Sequence, residues 1–125
     1  MYKTFIMTTT QIAERLAGLC EKGDFETAQQ ELYADDVISI EPMATPDYEK
    51  ETKGKDAVFA KIKKFDASVE ESYGNKVSAP LITANAFAFT LTMDLKMKGK
   101  DRMQMAEICV YEVKDGKVVS EQFFM

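Results

Sequence analysis

Apolar residues recur at helical spacing in the first half of the chain and at alternate positions in the second half. The first pattern predicts amphipathic helices, and the second predicts half-buried strands. Thr8 and Gln11 have the spacing of a capping box, which begins a helix predicted over residues 8–23. Asp24 caps a second predicted helix that carries apolar residues as far as Leu32. A third helix is predicted over residues 55–67, with the lysines of its middle turn on a solvated face.

Strands dominate the remainder of the chain. A short strand is predicted over residues 37–41, and residues 42–53, with two prolines and many charges, are predicted to form a mobile loop. Four further strands are predicted over residues 77–83, 86–98, 102–114 and 117–125. Three N-terminal helices followed by long strands predict an α+β fold, in which the helices pack on a curved antiparallel sheet of strands of mixed length.

Length, charge and cysteine content narrow the class of protein. The 125 residues predict a single domain over residues 1–125, with residues 1–7 as a flexible extension. The net charge of -5 argues against nucleic-acid binding, because that affinity depends on Lys and Arg at phosphates. No apolar run approaches the ~20 residues that a membrane span needs, so no membrane partner is expected. Two cysteines without paired spacing, and no signal-like N-terminus, predict a cytoplasmic protein.

The chain contains no histidine. This excludes Ser-His-Asp and Cys-His catalysis and any zinc or iron site with histidine ligands. Acid–base chemistry would fall to Glu, Asp, Tyr, Lys or Cys. We therefore expect no metal and no other cofactor.

Three segments together carry a family resemblance. LYADDVISIEP (residues 32–42) runs from a helix end into a strand that ends in a carboxylate before a proline. DGKVVSEQFF (residues 115–124) is typical of a hairpin turn that leads into a last strand, and AFAF (residues 86–89) begins a long one. Their order and spacing resemble the nuclear transport factor 2-like (NTF2-like) superfamily, in particular its SnoaL-like and ketosteroid isomerase branch. The resemblance covers almost the whole chain and implies a cone-shaped fold with one enclosed hydrophobic pocket.

The resemblance implies that Glu41 is a general base. Ketosteroid isomerase places its base at the end of the corresponding strand, immediately before a proline. Alternation puts Val37, Ser39 and Glu41 on one strand face. If this face lines the pocket, Glu41 lies in apolar surroundings, where desolvation disfavours a charged carboxylate. The alternative is a carboxylate at the rim or on the surface before the loop.

Glu107 is a second candidate catalytic residue. It lies between Met105 and Cys109 on the odd-numbered face of the predicted strand 102–114, where a buried acid needs a partner or a role. The SnoaL-like branch often has an acidic residue seven positions before the turn glycine. That position is Cys109 here, so the acid is either missing or displaced to Glu107. The even-numbered face is also partly apolar, so periodicity leaves open which face is interior. A structural network or a dimer interface is the alternative place for Glu107.

Glu121 is the third candidate, because the last strand of this fold often contributes to the pocket. With Glu41 and Glu107 it would form a carboxylate cluster in which like charges leave a shared proton. The alternative is an exposed sheet residue that faces a lysine. The resemblance fails at the electrophilic half of ketosteroid isomerase, because Leu16 stands where its tyrosine is expected and Cys109 where its aspartate is expected.

The other candidate site residues are predicted to give the pocket a soft apolar lining for a small hydrophobic ligand, and the alternative is that they are ordinary core residues. They are Tyr33, Phe87, Phe89, Met93, Met105, Cys109 and Tyr111.

Three functions are open on the sequence, which does not decide whether the protein is an enzyme. The first is cofactor-independent acid–base catalysis, of isomerase, cyclase or dehydratase type, on a small apolar carbonyl compound. The second is binding of a small hydrophobic molecule without chemistry. The third is a scaffold that dimerises through the open sheet face at Ala106, Ile108 and Val110. A homodimer is expected with all three, and residues 42–53 are an open candidate for a lid.

Overall fold

Three helices and seven strands make up the described part of the chain, residues 6–125 of a computed structural model. In chain order they are α1 (Thr9–Glu21), α2 (Phe25–Leu32), β1 (Tyr33–Ile40), β2 (Glu51–Lys53), α3 (Lys55–Ser68), β3 (Val69–Val77), β4 (Leu81–Ile82), β5 (Ala86–Met97), β6 (Arg102–Lys114) and β7 (Lys117–Phe124). Residues 1–5 of the predicted extension lie outside the described residues, and Met7 packs against the core.

The predicted helix starts are confirmed. Thr8 Oγ1 accepts a hydrogen bond from the Gln11 amide at 3.1 Å, and Gln11 Oε1 accepts one from the Thr8 amide at 2.9 Å. This reciprocal pair satisfies two of the free N–H groups at the start of α1. Asp24 caps α2 by accepting from the Thr27 amide at 3.2 Å. Gly23, at a φ of +74°, supplies the left-handed residue that separates the two helices.

The strands form one sheet in the order β2-β1-β7-β6-β5-β3, with β4 paired to β5. The α+β class is confirmed. One pairing differs from the antiparallel arrangement that we predicted, because β1 runs parallel to β7. The two strands are far apart in sequence, and side-chain alternation carries no information about strand direction.

The structure corrects several of the predicted strands. The predicted strand 77–83 is in fact the end of β3 and the separate β4, with Pro80 between them. Most of β3 was missed because its side chains are largely exposed and polar, which removes the apolar alternation. β2 pairs with β1 inside the segment predicted to be a loop. β1 itself begins at Tyr33, four residues before its predicted start at Val37.

The core lies between the helices and one face of the sheet. Alternate residues of β5 are buried, as its pattern predicted, and β6 continues the same face through Cys109, Tyr111 and Val113. The opposite face of β6 is open, with Ile108 48% exposed. The odd-numbered face of β6 is therefore the interior one, which places Glu107 on the inner side of the sheet.

Of the helices between Ile6 and Met125, none combines the length and the apolar character that crossing a bilayer requires.

Candidate functional site

A cavity of about 220 Å³, here called the central cavity, lies between the helices and the inner face of the sheet. All three helices contribute side chains to its helical wall, including Leu16, Gln29 and Lys61. The sheet wall comes from β1, β5, β6 and β7, and most of the lining is apolar. The three acidic residues singled out in the sequence, Glu41, Glu107 and Glu121, all line it.

Glu121 is held by two hydroxyl groups. β1 lies beside β7 with Ser39 opposite Glu121 in register, which brings both side chains to the same inner face. The Tyr33 hydroxyl donates to Glu121 Oε1, and the Ser39 hydroxyl donates to Oε2 at 2.6 Å. Glu121 is only 3% exposed, and burial raises its pKa against the opposing effect of the two hydrogen bonds. Both carboxyl oxygens are therefore committed to protein partners.

Glu41 is held by a lysine. Lys61 reaches from α3 and donates to Glu41 Oε1 at 2.9 Å and to the Ser39 hydroxyl oxygen. Its side chain is only 12% exposed, so the ion pair is largely shielded from water. The expectation of apolar surroundings for Glu41 is wrong, because the ammonium group sits beside its carboxylate. These contacts join five residues, Glu41, Lys61, Ser39, Glu121 and Tyr33, into one chain of hydrogen bonds, here called the polar network.

Glu107 lacks comparable partners. Among residues 6–125, its one side-chain hydrogen bond comes from the Cys109 thiol at 3.7 Å, which is a weak donor. Burial raises the pKa of Glu107 to about 7, and the nearby charges of Glu41 and Glu121 act in the same direction. The Cys109 contact and the Lys61 charge oppose this rise. Near neutral pH the carboxyl group therefore populates both protonation states, which suits an acid or a base.

The predicted lining residues divide into two groups. Tyr33, Met93, Met105 and Tyr111 line the central cavity. Phe87, Phe89 and Cys109 are buried in the core and are not among its lining residues. The Phe87 ring instead stacks on Tyr111 with centroids 4.9 Å apart. Alternation identified the buried face of β5, but it left the interior face of β6 open and did not show the depth at which the cavity begins.

Lys61 and Gln29 are among the polar residues of the cavity that sequence reasoning missed. Lys61 was predicted to be solvated, but it lies three residues after Val58 and four before Phe65, at the edge of the apolar stripe of α3. Gln29 follows Ala28 on the buried side of α2 and is itself buried. In both cases helical spacing relative to the apolar stripe was the signal that could have found them.

Leu16 and Tyr48 are two further residues that line the cavity. Leu16, at the position where ketosteroid isomerase has a tyrosine, is buried and presents only hydrocarbon to the cavity. Tyr48 brings the segment 42–53 to the cavity wall, and its ring lies 4.9 Å from Lys64 Nζ. As for metal binding, residues 6–125 contain no group of three Cys, Asp or Glu side chains placed to hold an ion.

Comparisons with known proteins agree with this architecture. A family model described as the SnoaL-like domain matches residues 7–125. A Mesorhizobium loti protein, whose name proposes a SnoaL-like polyketide cyclase and adds carbohydrate phosphatase in brackets, is 31% identical, with 95% of this chain and 100% of that chain covered and a TM-score of 0.86. An NTF2-like protein of unknown function from Burkholderia pseudomallei is 14% identical, with 96% and 92% covered and a TM-score of 0.79.

A Mycobacterium tuberculosis protein in complex with estradiol-17β-hemisuccinate has a similar fold, with a TM-score of 0.74. It is 17% identical, and the alignment covers 95% of each chain. The search of curated proteins found no match. The match over residues 7–125 and the 31% identity to the Mesorhizobium loti protein confirm the resemblance inferred from the sequence, and the chain belongs to the SnoaL-like family of the NTF2-like superfamily.

Proposed function

We propose that the central cavity binds a small molecule with an apolar body and a carbonyl group, and that Glu107 acts on it as a general acid–base residue without a cofactor. The proposal places the protein among cofactor-independent enzymes of isomerase, cyclase or dehydratase type. The Mesorhizobium loti relative named as a polyketide cyclase supports this class of reaction.

The contrast among three carboxyl groups at one cavity carries the proposal. Both oxygens of Glu121 accept hydrogen bonds from buried hydroxyl groups, and Glu41 is paired with Lys61. Glu107 faces the same cavity, and within residues 6–125 the Cys109 thiol is its one side-chain hydrogen-bond partner. A group that must take up and release a proton needs a free oxygen and a pKa near the working pH. Glu107 meets both requirements, with its pKa raised to about 7.

The cavity wall favours a small and largely apolar ligand. Its volume of about 220 Å³ is below the ~300–1,000 Å³ of pockets that hold drug-sized molecules. Leu91, Met93 and Met105 give the sheet wall a flexible hydrocarbon and thioether surface. The complex of the Mycobacterium tuberculosis relative with a steroid ester supports an apolar ligand in this fold.

The chemistry requires a donor for the oxygen that gains negative charge. In its ionised form Glu107 would take a proton from the carbon beside the carbonyl group, which leaves an enolate oxygen. Lys61 has three N–H donors, and its contacts with Glu41 and Ser39 use two of them. The third would stabilise the enolate oxygen, and protonated Glu107 would then return the proton at a carbon of the same ligand.

Hydrogen–deuterium exchange tests this role without knowledge of the natural substrate. The probe is 2-tetralone, a bicyclic ketone with acidic protons beside its carbonyl group, incubated in deuterated buffer and followed by NMR. We expect the protein to accelerate exchange and the Glu107→Gln variant to lose at least about 100-fold of that acceleration. Glu112→Gln is the matched control, because Glu112 lies on the exposed face of the same strand. Equal acceleration by Glu107→Gln and the unmodified protein would rule out the proposed role.

One observation favours binding without chemistry as the second candidate. Leu16 supplies no hydrogen-bond donor at the helical wall, and Lys61 is already engaged by Glu41 and Ser39. If 2-tetralone bound in calorimetry while its exchange stayed at the buffer rate, this ligand-carrier function would replace the enzymatic one.

We also propose an oligomeric state and a cellular location for the protein. Ile108 and Phe124 are paired across β6 and β7, and both are about half exposed, which supports a homodimer through this outer sheet face. Light scattering tests it, and a monomer at micromolar concentration would contradict it. A cytoplasmic location without nucleic-acid or membrane partners fits the net charge of -5 and the two free cysteines.

A further inference from the structure

Gln29 is a buried polar residue that the proposed chemistry does not use. It lies on α2, is only 6% exposed and contributes to the wall of the central cavity. No donor among residues 6–125 reaches its Oε1, and it is the single buried side-chain atom in that range without a hydrogen-bond partner. Buried polar groups are almost always paired, so an exception at a cavity wall indicates a partner that enters the cavity.

The immediate neighbours of Gln29 on α2 are either apolar and buried or polar and exposed. Ala28 and Leu32, on the same buried side of α2, are apolar and pack in the hydrophobic core. Gln30, the next residue, is exposed, so its amide is solvated. Helix packing alone therefore does not require an amide at position 29.

We infer that the ligand of the central cavity carries a hydroxyl group that hydrogen-bonds the Gln29 carboxamide on the helical wall, while its carbonyl end lies against Glu107 on the sheet wall. This inference rests on the proposed function and narrows its substrate class to hydroxylated apolar carbonyl compounds. A hydroxyl group fits because it both donates and accepts. A carboxamide can present either its oxygen or its NH₂ group by a half-turn, and a hydroxyl pairs with both.

Two matched probes test the inference. 6-Hydroxy-2-tetralone carries a phenolic hydroxyl far from its ketone, and 6-methyl-2-tetralone has a methyl group of similar size there. Calorimetry gives the Kd of each probe for the unmodified protein and for Gln29→Met, with Gln29→Leu as a second variant. Gln30→Met is the control on the exposed side of α2.

We expect the hydroxyl probe to bind the unmodified protein roughly tenfold more tightly than the methyl probe, as one added hydrogen bond to a buried group implies. The ratio of the two Kd values should fall to about one in both Gln29 variants and stay unchanged in Gln30→Met. An equal ratio in the unmodified protein and the Gln29 variants overturns the inference, as does failure of both probes to bind.

The exchange assay separates this outcome from failure of the proposed function. Unsubstituted 2-tetralone has no hydroxyl group, so its Glu107-dependent exchange does not need Gln29. Exchange that depends on Glu107, together with an unchanged Kd ratio, would refute the hydroxyl contact alone.

Discussion

The polar groups that line the central cavity fall into two sets. In one set the hydrogen bonds of the groups are satisfied by other groups of the protein, and in the other set they are not. In the polar network, Glu121 accepts from Tyr33 and Ser39, and Lys61 joins Ser39 to Glu41. Elsewhere on the wall, Glu107 has only a thiol contact and Gln29 Oε1 has no partner within residues 6–125. Polar side chains at one cavity therefore have two different roles. Paired groups fix the geometry of the cavity, whereas unpaired groups destabilise the empty protein and are available to a ligand.

The largest expected effect comes from breaking the polar network at its most buried member. Glu121→Leu leaves the Tyr33 and Ser39 hydroxyl groups buried without their acceptor, so we expect a loss of about 4 kcal/mol in the free energy of unfolding. Urea denaturation measures it. Adding Tyr33→Phe to Glu121→Leu removes one stranded hydroxyl and should recover part of the loss. A Glu121→Leu protein as stable as the unmodified one would show that these hydrogen bonds do not hold the fold.

Replacing Glu107 should stabilise the protein, whereas replacing Glu121 should destabilise it, because the charged form of Glu107 is disfavoured in the folded state. Its pKa rises from 4.5 to about 7 on folding, so between these values the folded protein binds more protons than the unfolded chain. The contribution of Glu107 to stability is thus fully present below about pH 4.5 and is lost as pH rises through about 7. Glu107→Gln removes this loss and should be more stable than the unmodified protein by up to about 3 kcal/mol at pH 8.

The measurement is the difference in unfolding free energy between Glu107→Gln and the unmodified protein at several pH values. The difference should grow as pH increases from 4.5 to 7 and be constant on either side. Glu121 also has a raised pKa and is present in both proteins, so the comparison retains only the part of its titration that depends on the charge of Glu107. A difference that does not vary with pH would show that Glu107 titrates as an ordinary exposed carboxyl group.

Lys61 belongs to the polar network, and its charge also acts on Glu107. Its removal therefore tests both sets of polar groups. Lys61→Met leaves Glu41 unpaired and Ser39 without a donor, and we expect a loss of about 2 kcal/mol, between the values of exposed and buried ion pairs. Because the Lys61 charge lowers the pKa of Glu107, its loss should also move the pH dependence of 2-tetralone exchange upward. Lys63→Met, on the exposed face of α3, should change neither measurement. An unchanged pH profile in Lys61→Met would show that the two carboxylate environments are independent.

The same division explains what the sequence revealed and what it did not. Strand β5 and the cap at Thr8 were predictable because each depends on residues close in sequence. Glu107 stood out because a carboxylate between Met105 and Cys109 interrupts an apolar face. The parallel pairing of β1 with β7 had no local signal, although it is the pairing that brings Ser39 to Glu121. Polar partners joined by tertiary structure are therefore the part of the site that a single sequence does not show.

Gln29 gives the smallest expected effect and the most direct test of the division between satisfied and unsatisfied groups. If its carboxamide serves a ligand and not the fold, replacing it with an apolar side chain of similar length should stabilise the ligand-free protein. Gln29→Met removes a buried acceptor that has no partner within residues 6–125, and we expect a gain of about 1 kcal/mol. Thermal unfolding without ligand measures it, and Gln30→Met should be nearly neutral because Gln30 is exposed. A loss of stability in Gln29→Met would mean that the amide is satisfied in the folded protein. The contrast between satisfied and unsatisfied polar groups would then rest on Glu107 alone.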